Sequence, residues 1–448
     1  MPIRALAPAG VGAASLSLDY QKLINASFAL MVFCGAIALV EPSPYDFTSI
    51  LAAAIWFMGG FRVRPLQLLF IALIFVYNLG GFISLVPHLD ESLPAIFMLQ
   101  SLYLALTAVF FVLFFAEDTA RRAELCLQAF AASTVVSALC GIAGYFNLAH
   151  AGAIFSMYGR ASGTFKDPNV LGSYLIMGAL YFLQNIILLR TRRLTLNAVC
   201  LLVVTIGVFL SFSRGSWVAF AIATVLTIGL GFLTSPHLAE RRRIAILAIV
   251  AVAVALIGVA VLLSLSSTRE FFLQRAAVTQ DYDVGETGRF GNQARSLSML
   301  LDRINGFGPL RFRLTFGLDP HNSYINAFAS YGWLGACAFF LLVGLTVFIG
   351  FRLCFAPSPY RRVAQIYWPS LFVFLLQGFQ IDIDHWRHVY LMLGAVWGLE
   401  TARVRWRAAR SARSGRPRCE FQALDRPGRQ PPIDRHDRGN VPVQRWRV

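Results

Sequence analysis

Apolar runs about as long as a bilayer crossing recur almost without pause through most of this sequence, and no other property restricts its fold so severely. They fall at 23–40, 47–61, 66–86, 95–116, 124–146, 170–189, 196–212, 215–233, 244–266, 323–350, 363–381 and 388–401. A helix needs about 20 mostly apolar residues to cross the hydrocarbon core, where its backbone must satisfy its own N–H and C=O groups. The pattern predicts an all-α polytopic membrane protein with about twelve transmembrane helices. Composition agrees: 57% of the residues are hydrophobic and 14% charged, against about a quarter charged in soluble domains.

Charge then orients the chain. The formal net charge is +16, which invites a nucleic-acid reading, but the cations fall largely in alternate short loops and near the C-terminus. The loops carry Arg62 and Arg64, Arg121 and Arg122, Arg190, Arg192 and Arg193, Arg241 to Arg243, and Arg352, Arg361 and Arg362, followed by Arg403. By the positive-inside rule these loops are cytoplasmic, and so are both termini. The expected order is a cytoplasmic N-terminus (1–22), spans one to nine (23–266), a large periplasmic loop (267–322), spans ten to twelve (323–401) and a basic, disordered cytoplasmic tail (402–448) whose apolar period ends by about Ser411. No basic n-region with a cleavage site precedes the first apolar run, which is expected to be a retained span. The seven cysteines (Cys34, Cys126, Cys140, Cys200, Cys337, Cys354 and Cys419) show no zinc or disulfide spacing.

Cations that topology does not ask for are the informative ones. Arg160 and Lys166 lie in one outward loop, Arg214 in another, Arg387 in the last, and the 269–321 loop is dense in Arg, Asp and Glu, including Arg269, Arg275, Asp281, Asp283, Glu286 and Arg311. Together they would form a periplasmic patch suited to an anion such as a phosphate. Arg214 sits in a very short hairpin close to the hydrocarbon, where a charge costs about 2.5–3.5 kcal/mol unless a partner offsets it. Snorkelling from an interfacial turn is the plainer account of Arg160 and Arg214.

Within the large loop, 288–304 has helical period, with Phe290, Leu297, Leu300, Leu301 and Ile304 in an apolar stripe and Arg289, Asn292 and Ser296 on another face. Such a helix can lie along the membrane surface and aim Arg289 inward; a solvated helix with ordinary surface arginines is the competing reading. His321 directly precedes the tenth span, with Asn322 or Ser323 placed to cap it. The positive end of that helix disfavours an imidazolium, which suits His321 to accept a proton. The two glycines of GFGP at 306–309 are read as a turn before a phosphate cradle. Asp382 and Asp384 form a metal-like Asp-x-Asp pattern, beside His385 and His388, for which stabilising the turn or contacting an acceptor is the stronger reading.

These residues resemble the O-antigen ligase and O-antigen or exopolysaccharide polymerase superfamily of bacterial membrane glycosyltransferases. The resemblance rests on FKDPNVLG at 165–172, SFSRGS at 211–216, the helix opening with Gly288 and Arg289, GFGP at 306–309, HNSYI at 321–325 and YGWLG at 331–335, and it covers roughly residues 20 to 400. It implies a metal-independent, inverting transfer of a glycan from undecaprenyl diphosphate to an acceptor hydroxyl, the acceptor being lipid A–core or a growing polysaccharide. No cofactor and no nucleic-acid partner is implied. By the same resemblance Arg160, Arg214 and Arg289 bind the diphosphate and His321 activates the hydroxyl, while Lys166, Arg295, Arg311 and Asn322 are further substrate-binding candidates. The family helix often carries an aromatic residue where this chain has Gln293 or Ala294, and Arg295 competes with Arg289 for its role. The alternative from another class is a polytopic transporter or lipid-linked-glycan flippase, disfavoured because the spans are nearly free of charge.

Overall fold

The structure is a computed structural model that describes residues 11–189, 193–264, 269–270, 285 and 288–414. Arg190, Arg192, Arg275, Asp281, Asp283, Glu286 and the tail beyond Ser414 lie outside the described residues. Helices run through every apolar stretch of the sequence: α1 (Val11–Cys34), α2 (Pro44–Met58), α3 (Pro65–Leu85), α4 (Ser92–Phe115), α5 (Thr119–Tyr145), the short α6 (Gly152–Phe155), α7 (Pro168–Ile187), α8 (Leu194–Leu210), α9 (Arg214–Thr234) and α10 (Leu238–Leu263). After the large loop's own helices, α11 (Arg289–Leu301) and α12 (Phe312–Phe316), come α13 (Ser323–Phe355), α14 (Arg361–Gln377) and α15 (Arg387–Ser414). Among the described residues, seven helices are long and apolar enough to cross a membrane, and Leu194–Leu210 is a shorter apolar helix.

Local chemistry explains where these helices begin. Pro44, Pro65 and Pro168 occupy first-turn positions, where the missing N–H is no loss. Asp167 caps α7 by accepting from the Asn169 N–H at 2.7 Å, and Ser213 caps α9 by accepting from the Ser216 N–H at 3.3 Å. Both ends of the chain differ from the sequence reading. Helix α1 starts at Val11, ahead of the apolar run, and α15 continues through Ser414, past the residue 402 expected to open the tail. The Ala- and Arg-rich stretch after 402 has high intrinsic helix propensity and extends a helix already nucleated by the span.

Helix α7 is the most enclosed of the candidate spans, 83% of its most apolar window being buried against α5, α8, α9 and α14. Helix α10 is the opposite extreme: 6% of its window is buried, and it packs on α9 and α7 through one face. A second tight contact joins α3 to α13, where a Cβ on Gly80 would fall 2.5 Å from the Gly335 nitrogen and 2.6 Å from the Tyr331 carbonyl oxygen. Small residues let backbones approach within a membrane, where apolar area supplies no driving force between helices.

The break in α13 positions the large loop. Gly332 has φ 63° and ψ −176°, a conformation that interrupts the helix. The Trp333 N–H freed there donates to the Ile304 carbonyl at 2.8 Å, and the Trp333 indole donates to the Leu300 carbonyl at 3.0 Å. In return, the Phe307 and Gly308 N–H groups donate to the Ala329 carbonyl at 2.8 and 3.0 Å. The GFGP and YGWLG motifs are thus two halves of one dock, and the glycines of the first serve as a turn.

Candidate active site

Three turns that the sequence reading places outward meet through a continuous set of contacts. A small hairpin, β1 (Ser156–Met157) paired antiparallel with β2 (Arg160–Ala161), presents Arg160. The side chain is buried; its Nε donates to the Ser211 carbonyl at 2.8 Å and its Nη2 to Asn169 Oδ1 at 2.8 Å. Arg160 therefore ties the start of α7 to the α8–α9 turn. Ser216 tightens the same junction, its Oγ 3.0 Å from Ser173 Oγ and 3.3 Å from the Asn169 carbonyl oxygen.

Arg214 opens α9, half-buried. The next residue, Gly215, faces the turn between α14 and α15: a Cβ there would lie 3.5 Å from Gln377 Nε2 and 3.6 Å from Gln380 Oε1. Arg289, the first residue of α11, reaches the same turn from the large loop, its Nη1 donating to the Gln380 carbonyl at 3.2 Å.

His321 arrives from the third direction. Its side chain is 47% exposed, with Nδ1 3.9 Å from Asp382 Oδ2. The backbone of His321 has φ 45°, unusual for a residue with a Cβ. Asp382 holds it there by accepting from the His321 N–H at 3.1 Å and the Asn322 N–H at 2.9 Å. Asn322 caps α13 by accepting from the Tyr324 and Ile325 N–H groups at 3.0 and 3.1 Å, while its own Nδ2 donates to the Phe379 carbonyl at 3.2 Å. Burial pushes the Asp382 carboxyl well above the usual carboxylate range, the like charges of Asp384 and Asp319 add to this, and the two backbone donors pull the other way.

Helix α11 is turned in a way that suits lipid rather than water. Its polar residues Asn292, Gln293 and Ser296 are buried together with Leu300, whereas Phe290, Leu297, Leu301 and Ile304 are 50%, 51%, 67% and 75% exposed. Asn292 donates to the Phe316 carbonyl at 3.3 Å and Gln293 to the Pro320 carbonyl at 2.8 Å, one residue before His321. Gln293 thus links the helix that Arg289 opens to the segment that leads into His321.

The remaining candidates have partners of their own. Arg295 bonds Asn292 Oδ1 and lies over the Phe316 ring at 5.7 Å, on the α12 side of the helix, while Arg289 takes the side facing Gln380. Lys166 pairs with Glu41 at 3.1 Å, both side chains more than half exposed. Arg311 pairs with Glu91 and, at 3.0 Å, with His88 Nδ1, which anchors the loop to the α3–α4 connection. Arg387 pairs with Asp46 at 3.1 Å. The Asp-x-Asp segment works as a turn brace: besides the bonds of Asp382, Asp384 Oδ2 accepts from Asn326 Nδ2 at 2.9 Å. Sequence reasoning read Asp382 as stabilising its turn or contacting an acceptor and left Gln380 and Gln293 without roles; for Gln380 the density of polar residues from Gln377 to His388 was the available signal.

Residues 198–340 match the family model described as O-antigen ligase. Over this segment the chain is similar to O-antigen ligases. The matched segment runs from α8 through the broken part of α13 and so includes Arg214, Arg289 and His321. The match agrees with the resemblance to membrane glycosyltransferases of the O-antigen ligase and polymerase type. A search of curated proteins finds no match.

Proposed function

We propose that this O-antigen ligase-type chain transfers a glycan from undecaprenyl diphosphate to an acceptor hydroxyl at the periplasmic face of a bacterial inner membrane. In this reading it crosses about twelve times with both termini in the cytoplasm. The reading is carried by the convergence of the Arg214 turn, Arg289 and His321 on the single turn 377–384. A diphosphate leaving group gains negative charge as the bond to the anomeric carbon breaks, and guanidinium groups held in place stabilise that charge without reorganising. Arg214 and Arg289 serve this purpose, and Arg160 holds the turn that carries Arg214. His321 takes the proton of the attacking hydroxyl, and Asp382 and Gln293 fix the backbone on either side of the imidazole. A single displacement inverts the anomeric configuration, consistent with the metal-independent chemistry that the family resemblance implies.

The outward stripe of α11 belongs in the outer leaflet, next to the polyprenyl chain of the donor. The test is transfer by purified protein supplied with a defined lipid-linked donor and acceptor. Wild type is expected to release undecaprenyl diphosphate and lengthen the acceptor; translocation of the donor without transfer would sink the proposal. Lipopolysaccharide from a deletion strain assigns the acceptor: bare core indicates a ligase, core with single repeats an O-antigen polymerase, and an intact ladder with lost exopolysaccharide an exopolysaccharide polymerase.

A further inference from the structure

At the end of α9 remote from Arg214, the chain folds back into α10 and leaves a concavity of about 830 Å³ lined by Phe232, Leu238, Ala239, Arg241, Arg242, Arg243, Ile246 and Leu247. That volume lies within the range of small-ligand sites. Its chemistry is divided, with three successive guanidinium groups beside an apolar floor. Arg241 is already fixed, its Nε donating to the Ser235 carbonyl at 3.0 Å and its guanidinium 5.8 Å from the Phe232 ring centroid. Arg243 Nε is buried and has no hydrogen-bond partner among the described residues. The neighbouring carboxylate does not neutralise the group, because Glu240 is paired with Arg362 at 3.3 Å.

We infer that this groove binds an anionic phospholipid of the cytoplasmic leaflet, the phosphate on Arg241 to Arg243 and the acyl chains along α10. The positive-inside rule accounts for arginines here but asks for no cavity and no buried, unpartnered guanidinium nitrogen. The acyl chains have a surface ready for them: Ile246, Ile249, Val250, Leu256 and Ile257 on α10 are all exposed. Helix α10 has only 6% of its most apolar window buried, which leaves its length open to acyl chains. The inward orientation of this end rests on the topology proposed above; the test reads lipid retention rather than transfer, so the two can fail separately.

The full-length protein, purified in a mild detergent, is exposed to equal amounts of phosphatidylglycerol and phosphatidylcholine, and bound lipid is counted by native mass spectrometry. Wild type is expected to retain phosphatidylglycerol selectively. Each basic group near an anionic headgroup contributes about a five-fold change in affinity, so Arg241→Gln/Arg242→Gln/Arg243→Gln should weaken retention roughly a hundred-fold. Arg→Lys at the same three positions should preserve it, and Arg121→Gln, a cation in another expected cytoplasmic loop, should change nothing. Arg242→Glu alters only an exposed side chain and gives a reading should the triple variant fold poorly. Equal retention of the two lipids by wild type, or undiminished retention by Arg242→Glu, overturns the inference. So does full displacement by inorganic phosphate at the lipid's concentration, which would identify a small-anion site.

Discussion

His321 adopts a left-handed backbone that a β-substituted residue reaches only at a cost of order 1–3 kcal/mol, so something around it must enforce the conformation. The Asp382 carboxylate and the Asn322 cap supply that enforcement. If His321 takes the hydroxyl proton, His321→Ala should lower transfer by about 10²–10⁴-fold with the fold retained. Equal transfer by the variant would remove His321 from the mechanism. Asp382 yields a pH dependence of definite sign. Its folded-state carboxyl titrates above the ordinary carboxylate range, chiefly through burial, so the folded chain holds this proton more tightly than the unfolded one. The resulting stabilisation is complete below about pH 4 and is lost as pH rises through the raised folded value. Thermal unfolding in detergent between about pH 4 and 8 should therefore decline less for Asp382→Asn than for wild type; parallel curves would contradict the assignment.

At the scale of elements, the dock between the loop and the broken helix α13 sets where Arg289 and His321 stand. A Cβ on Gly306 would fall 2.3 Å from the Phe328 carbonyl oxygen and 2.5 Å from that of Ala329. Gly306→Ala should thus cost about 1–3 kcal/mol and depress both the unfolding temperature and transfer. Gln293→Ala is a finer probe. It removes the bond to the Pro320 carbonyl while leaving Arg289 in place, and should lower kcat about ten-fold with little change in KM for the donor, as expected for misplacement of a reacting group. A rise in KM alone would instead assign Gln293 to donor binding. Much of this level was legible in the sequence: a cap at Asn322 or Ser323 and the helical period of 288–304. What the sequence left open was whether α11 turns its apolar stripe to lipid or lies solvated. A hydrophobic stripe specifies an interface with something apolar, and in a membrane protein that partner can be lipid instead of the protein core.

At the scale of the whole molecule, the proposed topology puts the turns that carry Arg160, Arg214 and His321 on one side of the membrane and the arginine-rich loops on the other. This orientation is open to direct test with single cysteines in a chain freed of its seven native ones. Arg313→Cys, at an exposed position of α12 where the arginine pairs with Asp319, should react with a membrane-impermeant maleimide in spheroplasts, and Arg121→Cys only after the membrane is opened. The reverse pattern would invert the proposed topology and with it the periplasmic site.

Sequence alone determined the class of fold, because runs of apolar residues near bilayer length leave a backbone no choice but helix. It also singled out Arg214 by the cost of a charge beside hydrocarbon and His321 by its place before a helix, and the family resemblance added Arg160 and Arg289. Only the tertiary structure decided which groups share a turn. Arg289 and His321 lie far apart along the chain and meet because the turn 377–384, itself apart from both, offers the Gln380 carbonyl and the Asp382 carboxylate, while Gly215, next to Arg214, faces the same turn. Lys166 and Arg311, equally cationic in the sequence, are held by Glu41 and Glu91. Residue type reports what a group can do; the helix packing that brings partners to it is a sum of many contacts no local pattern encodes.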